Sequence, residues 1–332
     1  MPDKVRWGVL GAAKIAIEHV IPALQKGSRC EVVAIASRTL EKARRAAAGF
    51  NIPKAYGSYE ELLADSEVEV VYNPLPNHLH VPWSIRAAQA GKHVLVEKPV
   101  SLNVAECRTL MEARDRAGVK IGEAFMVRTN PQWLRAREIL RSGEIGDLRA
   151  IMSAFSFYGR DPANVRNVLE WGGGGLMDLG CYAVQVARFF FGQEPRRVVS
   201  LIERDPELRI DSLASALLDF SSGQSVFTCS MQMVPYQRVH ICGASGRAEI
   251  EIPFNAPSER PCRLFVGTAA GIRTEELPVC DQYAIQCDLF SQAVRGAGEV
   301  PTPLEDSIRN MAVIEAIFRS ERENTWVKPS LT

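Results

Sequence analysis

An imbalance of charge is the first thing this sequence lacks: 39 Lys and Arg face 39 Asp and Glu over 332 residues, a formal net charge of zero. Nucleic-acid binders and membrane-surface proteins usually need a basic excess, so the balance argues against both as partners. No apolar run approaches the roughly 18 residues of a membrane span. The start, Met1-Pro2-Asp3-Lys4, passes directly into a strand-like stretch, with no basic segment followed by an apolar one. No secretion signal is expected, and the expected location is cytoplasmic. The eight cysteines form no C-x-x-C pair, and the five histidines form no convincing ligand cluster, so no metal is expected. Most of the cysteines sit among apolar residues, as reduced core thiols do.

The composition is that of an ordinary globular chain, 46% hydrophobic and 23% charged. At about 150 residues per domain, the length suggests two domains. In the first third, short apolar runs at Val5–Leu10, Glu31–Ala36, Val68–Tyr72, His93–Val96 and Lys120–Phe125 alternate with helical stretches. That alternation predicts an α/β, doubly wound Rossmann domain over residues 1–125, its parallel sheet covered on both faces. From residue 126 to 332 the pattern becomes α+β with a mostly antiparallel open sheet. In Ser225–Met233 the residues Phe227, Cys229, Met231 and Met233 share one side, and Ser221-Ser222-Gly223-Gln224 reads as a hairpin turn before it. Helices are expected at Trp133–Leu140, Leu176–Phe191, Tyr283–Val294 and Leu304–Ser320. A sheet with helices on one side leaves its other face to be covered, which predicts a homo-oligomer, dimer or tetramer. The pattern leaves open which face associates.

Between the first strand and the first helix lies Gly8-Val9-Leu10-Gly11-Ala12-Ala13-Lys14-Ile15. A dinucleotide fold makes its tight turn there and aims helix N–H groups at a pyrophosphate. Ala13 stands where the motif usually has its second glycine. The second strand ends at Ala36-Ser37-Arg38, where an NAD site usually places Asp or Glu for the ribose 2′-hydroxyl. No acid occurs before Glu41. Ser37 can bond a 2′-phosphate, Arg38 can pair with it or stack on adenine, and Lys42 adds charge, so NADP is the expected cofactor.

The run Val94-Leu95-Val96-Glu97-Lys98-Pro99 closely resembles the Gfo/Idh/MocA family of NAD(P)-dependent sugar and polyol oxidoreductases. Pro74-Leu75-Pro76-Asn77-His78-Leu79-His80 matches that family's fourth-strand motif. Gly172-Gly173-Gly174-Gly175-Leu176-Met177-Asp178-Leu179-Gly180-Cys181-Tyr182 matches its catalytic-helix motif. The Tyr form of the second motif resembles the branch of glucose–fructose oxidoreductase, xylose dehydrogenase and dihydrodiol dehydrogenase.

The resemblance implies Tyr182 as general acid/base, Lys98 as its electrostatic activator and substrate orienter, and Asp178 as hydrogen-bond partner of a second sugar hydroxyl. A free Tyr has a pKa of about 10, and a neighbouring ammonium favours the phenolate. Asp178 and Tyr182, four apart on a helix, share one face. The glycine run before them is expected to leave space for substrate or nicotinamide. Leu75, Pro76 and Asn77 are expected on the cofactor side, with Arg128, near Asn130, at the domain junction. Glu97 and His80 either line the nicotinamide pocket or satisfy loop backbone groups. Arg166 lies in a polar loop that can contact sugar hydroxyls. Tyr236 and Tyr283 are candidate pocket aromatics, Tyr236 toward substrate and Tyr283 toward cofactor.

The expected activity is NADP-dependent oxidation of an aldose (glucose or xylose type) at C1 to the lactone. Two alternatives stand beside it. One is a glucose–fructose-type oxidoreductase with tightly held NADP; the four residues before the first strand are too few for the N-terminal arm of those enzymes. The other is a non-catalytic sugar-sensing regulator, against which the intact Lys98, Asp178 and Tyr182 argue.

Overall fold

The computed structural model describes residues 4–331. Residues 1–3, on which the expectation of a missing leader partly rests, lie outside the described residues, as does residue 332. Among the described residues no helix is long and apolar enough to cross a membrane. The chain divides into two units, Met1–Met126 with Asp281–Ser307, and Val127–Cys280 with Ile308–Thr332.

The first unit contains a six-stranded parallel sheet: β1 (Val5–Leu10), β2 (Cys30–Ala36), β3 (Lys54–Tyr56), β4 (Val70–Asn73), β5 (His93–Val96) and β6 (Ile121–Glu123). Their order is β3-β2-β1-β4-β5-β6, so the order reverses between β1 and β4. In open sheets of this kind ligands bind at the carboxyl ends beside that reversal. The helices are α1 (Ile21–Lys26), α2 (Leu40–Phe50), α3 (Tyr59–Ala64), α4 (His80–Gln89) and α5 (Val104–Ala117). Thr39, Ser58 and Asn103 accept backbone N–H bonds at the starts of α2, α3 and α5, satisfying donors that a helix start leaves open. Strand β3 and helix α3 escape the sequence pattern: β3 is three half-buried residues, and α3 buries only Leu62 and Leu63.

The second unit has α6 (Pro131–Arg141), β7 (Leu148–Tyr158), α7 (Cys181–Phe191) and then β8 (Arg197–Arg204), β9 (Asp211–Phe220), β10 (Gly223–Ser230), β11 (Gln232–Gly243), β12 (Gly246–Ile250), β13 (Cys262–Thr268) and β14 (Gly271–Leu277). The sheet order is β14-β13-β12-β11-β7-β10-β9-β8. All neighbours are antiparallel except β7 and β10. The predicted hairpin is present, with Phe220 paired to Gly223 across a two-residue turn.

The alternation along β10 places Phe227 and Cys229 in the core, and Gly180 of the helical layer comes close to the Cys229 sulfur. The apolar side therefore faces the helices. Met233 leaves the pattern, since β10 ends at Ser230 and Met233 is exposed. The opposite face carries an aligned row, His240, Met152, Val226, Leu217 and Val199, across five strands. Met152, Val226 and nearby Leu201 are exposed.

Two further helices follow, α8 (Gln282–Val294) and α9 (Leu304–Glu323). Here the structure departs from the expected division, which assigned everything after residue 125 to the second domain. Helix α8 belongs to the first unit. Cys287 and Phe290 complete the core around Trp7, and the Trp7 indole N–H donates to Ser291 Oγ at 3.1 Å. Asp288 accepts the N–H groups of Ser28 and Arg29 at 3.0 and 2.9 Å. Helix α9 begins in the first unit and runs on in the second.

Candidate active site

In the first unit, β1 delivers Gly11 at φ 95°, a left-handed conformation that glycine adopts without strain. Its N–H donates to Ala36 O at 2.8 Å. A Cβ there would meet Leu75 Cδ2 at 3.1 Å and the Tyr59 hydroxyl at 3.6 Å. Ala12, Ala13, Lys14 and Ile15 then lead into a helical run whose Ile17 N–H bonds back to Ala13 O, and which widens into a π turn over Ala16–Val20. The first N–H groups of such a run have no partner within it. Close backbone approach and outward N–H groups suit a pyrophosphate, so these residues fit a dinucleotide. A substituted position two, Ala13, stands half-buried without disturbing the turn.

Ser37 is buried at the end of β2, its N–H bonded to Tyr56 O. Arg38 and Lys42 are exposed. The first acid after β2, Glu41, is paired with Arg45 at 2.8 Å on the exposed face of α2. Tyr59, which the sequence pattern did not single out, lies near both Gly11 and Arg38: burial raises its pKa, and the Arg38 charge opposes that.

After β4, Asn73 is fully buried, and its side chain bonds His80 O, Ser84 Oγ and the Leu75 N–H. His80 is also buried, with Nδ1 2.8 Å from Pro99 O and Nε2 2.6 Å from Leu75 O. Two carbonyl partners favour a doubly protonated ring. Burial opposes them, with the Lys98 charge adding, and holds the pKa down to about 4. The ring stands between the two loops that carry these carbonyls. Of the two roles considered for His80, this geometry is the backbone-satisfying one. Pro76 and Asn77 form the short turn between these groups.

Glu97 follows β5 and accepts the Tyr72 hydroxyl at 2.6 Å. Burial, then the Glu97 charge, raise the Tyr72 pKa well above its usual value. Lys98 comes next, and its peptide bond to Pro99 is cis. Tyr283, on α8, stacks on His19 with ring centroids 5.4 Å apart. Burial and the Glu97 charge raise its pKa.

In the second unit, Tyr182 is 5% exposed on α7, beside the rings of Phe155 at 5.8 Å and Phe254 at 5.3 Å. Asp178 lies in a π turn, Leu176–Gly180, that opens the same helical run. A turn closed by i→i+5 bonds is wider than an α turn, and such turns are frequent at functional sites. Arg166 Nε donates to Asp178 Oδ2 at 2.8 Å, so these two residues are brought together.

The glycine run does something other than leave space. A Cβ on Gly173 would lie 2.5 Å from Arg166 O and 2.8 Å from Val168 O. Gly174 has φ 122°, and a Cβ there would run into Asp211 Oδ1. The room beside residues 173–175 is taken up by protein. Asp211, at the head of β9, accepts the Leu176 N–H at 2.5 Å and is 4% exposed. Burial pushes its carboxyl up to about 7, against the Leu176 N–H bond and the Arg204 charge. Asp211 carries one signal in the sequence, an acid heading an otherwise alternating apolar strand.

Tyr236 departs from its expected place in the substrate pocket. It pairs with Ser156, so it shares the sheet face of Met152 and not that of Phe155, which packs on Tyr182. It is 49% exposed. One residue along, Gln237 pairs with Phe155 and accepts the N–H groups of Phe254 and Asn255. The period of two makes a one-residue shift a change of face. Arg128 lies over the Phe189 ring at 5.8 Å, two helical turns beyond Tyr182. Asn130 caps α6 through the Gln132 N–H. Among the described residues no group of three His, Cys, Asp or Glu side chains could hold a metal ion.

A parallel sheet reversing between β1 and β4, with a glycine turn at that point, defines a dinucleotide-binding protein. Residues 5–125 match the oxidoreductase family with an NAD-binding Rossmann fold, GFO/IDH/MocA, and residues 133–249 match the GFO/IDH/MocA C-terminal domain. The chain belongs to this family and is an NAD(P)-dependent oxidoreductase. It is 38% identical over 327 residues to a D-xylose 1-dehydrogenase (NADP(+)) of Haloferax volcanii, covering 97% of this chain and 99% of that one. A 3-ketoreductase from Actinomadura kijaniata, solved with NADP and TDP-benzene, is 29% identical, with a TM-score of 0.91 over 96% of this chain and 98% of that one. An aldose-aldose oxidoreductase from Caulobacter crescentus, solved with glycerol, is 27% identical, with a TM-score of 0.91 over 98% and 99%.

Asp211 supplies a prediction about pH. Its folded pKa is raised from 3.8 to about 7. The stability that the proton confers is complete below the unfolded value and is lost as pH rises through the folded one. Relative to Asp211→Asn, which does not titrate, the melting temperature of the wild type should fall as pH rises from about 4 to about 7. A difference between the two melting curves that stays constant over that range would refute the shift.

Proposed function

We propose that the chain is an NADP-dependent sugar oxidoreductase that oxidises an aldose at C1 to the lactone. The observation that carries this reading is the pairing on one helical run of Tyr182, packed against the stacked rings of Phe155 and Phe254, with Asp178, fixed by Arg166 at 2.8 Å. Removing hydrogen from a sugar hydroxyl needs a proton acceptor and a partner that fixes the ring. NADP⁺, when bound, would supply the hydride acceptor for C1. Tyr182 takes the hydroxyl proton, Lys98 supplies the cation that favours its phenolate, and Asp178 with Arg166 bonds a neighbouring hydroxyl. The xylose dehydrogenase of Haloferax volcanii, similar over nearly the whole chain, supports an aldose substrate of the xylose type.

NADP is the cofactor this reading assigns. Ser37 follows β2, Arg38 is exposed beside it, and Glu41 is committed to Arg45. Gly11, Ala12, Ala13, Lys14 and Ile15 would hold the pyrophosphate, and Tyr59 with Arg38 would border the adenosine. The exposed row of Met152, Val226 and Leu201 supports association of the second unit's sheet with a second copy.

Three outcomes are expected. Tyr182→Phe should lose about 10²–10⁴-fold in kcat while NADP⁺ binding survives. The assay follows reduced nicotinamide with a panel of aldoses, using extensively dialysed protein with and without added NADP⁺. Near-normal turnover by the variant removes Tyr182 from the role, no turnover of any aldose by the wild type removes the substrate class, and turnover without added cofactor favours a tightly held NADP. Arg38→Ala should raise the KM for NADP⁺ more than that for NAD⁺; equal effects would show that Arg38 does not read the phosphate. Light scattering at micromolar concentration should give at least a dimer, and Val226→Asp should dissociate it; a wild-type monomer rejects the association.

A further inference from the structure

We propose that Asp211 is a positioning residue for the reaction: through the start of the helical run, it sets where Asp178 and Tyr182 stand. The inference rests on the roles just assigned to those two residues, and it adds a group that touches neither substrate nor cofactor.

The geometry has three parts. First, the carboxyl accepts the Leu176 N–H at 2.5 Å, at the residue that opens the π turn containing Asp178. A helix start presents unsatisfied N–H groups and partial positive charge, and a carboxylate is its strongest side-chain partner. Second, the backbone has been brought to this carboxyl at a cost in side chains. Gly174 has φ 122°, and a Cβ on it would strike Asp211 Oδ1, while a Cβ on Gly175 would lie 3.3 Å from Asp211 O. Third, the far side of the same turn is fixed by one residue. The Gly174 N–H donates to Arg166 O at 2.9 Å, and the Arg166 side chain bonds Asp178. Asp211 and Arg166 thus grip the turn from two sides, and moving either shifts Asp178 and Tyr182 together.

The groups that face Asp211 are few. Arg204 comes from β8, Cys229 from β10, and Arg209 with Asp205 from the turn before β9. Arg204 is spoken for by Glu321 at 2.7 Å, and Asp205 by Arg160 at 2.6 Å. Asp211 lines one wall of a cavity of about 530 Å³ with Leu169, Arg204, Arg209 and Phe318, so water can reach the space beside it. The helix start is its bonded partner.

The experiment compares Asp211→Ala and Gly174→Ala with Leu218→Ala. Leu218 is a fully buried β9 residue outside the site, so its variant loses stability without touching the turn. With an aldose that the wild type oxidises, the first two variants should lose kcat by about 10–100-fold, the scale of a misplacement of roughly 1 Å. Their KM for NADP⁺ should stay within about twofold, because the dinucleotide turn is untouched. Leu218→Ala should lower the melting temperature and keep kcat. Gly174→Ala leaves the carboxyl in the sequence but displaces it, so it decides the matter if Asp211→Ala does not fold. If neither folds, Asp211→Asn is read by the same split, with the same direction expected. Wild-type kcat in the folded variants overturns the proposal. So does a loss of kcat matched by the KM for NADP⁺ or shared by Leu218→Ala. Hydrogen exchange needs no substrate: amides of residues 174–182 should lose protection in the folded variants ahead of the rest of the second unit. Uniform loss overturns the positioning role even if the wild type oxidises no aldose, an outcome that would by itself count only against the proposed substrate.

Discussion

Backbone N–H groups at the start of a helix need an acceptor, and at the start of the run from Leu176 to Phe191 the Leu176 N–H finds one in a buried carboxyl, Asp211. Much of the local sequence follows from it. The three consecutive glycines at 173–175 keep side chains out of the space that Asp211 and the carbonyls of Arg166 and Val168 occupy. Arg166 bonds the turn through its carbonyl and Asp178 through its guanidinium. Phe155 and Phe254 then close on Tyr182 from the sheet side. Burying a carboxyl is unfavourable in itself, as its raised pKa records. It is offset by bonds that no neutral, apolar replacement could make.

The first unit solves a parallel problem. In its loop beyond β5, Glu106 in the first turn of α5 accepts the Leu102 N–H at 2.9 Å and buried Glu123 accepts the Val100 N–H at 2.8 Å. The loops beyond β4 and β5 are also held by the His80 imidazole, placed between Leu75 O and Pro99 O, and by the Asn73 amide. Both units also open a functional helix with a π turn, Ala16–Val20 in one and Leu176–Gly180 in the other. The wider turn changes the phase of the residues that follow it, so a side chain can be aimed without bending the helix away from its sheet.

Much of this was legible in the residues. Strands β1 and β5 fall where apolar runs put them. So does the β9–β10 hairpin, because its turn residues and its period of two are local signals. The Gly11 turn, Lys98, Asp178 and Tyr182 were visible as motifs. What escaped depended on pairing between distant segments. Whether Tyr236 or Gln237 shares a face with Phe155 is set by the β11–β7 register, which includes a bulge between Gln232 and Tyr236. That Asp211 meets Gly174 depends on β9 passing beside a loop 37 residues earlier. The placement of α8 had no local signal at all, since an amphipathic helix does not say which core it completes.

That last feature bears on how the protein is made. The first unit's core includes Cys287 and Phe290, and Trp7 has its indole partner in Ser291. A ribosome emitting the chain from its N-terminus therefore releases the parallel sheet long before the residues that close it. Until α8 emerges, one flank of that sheet presents Trp7 and its neighbours to solvent, an apolar surface open to wrong partners. Folding of the dinucleotide half is in this sense a late event in synthesis. A fragment ending at residue 125 would carry every strand of the sheet and still lack the means to seal it.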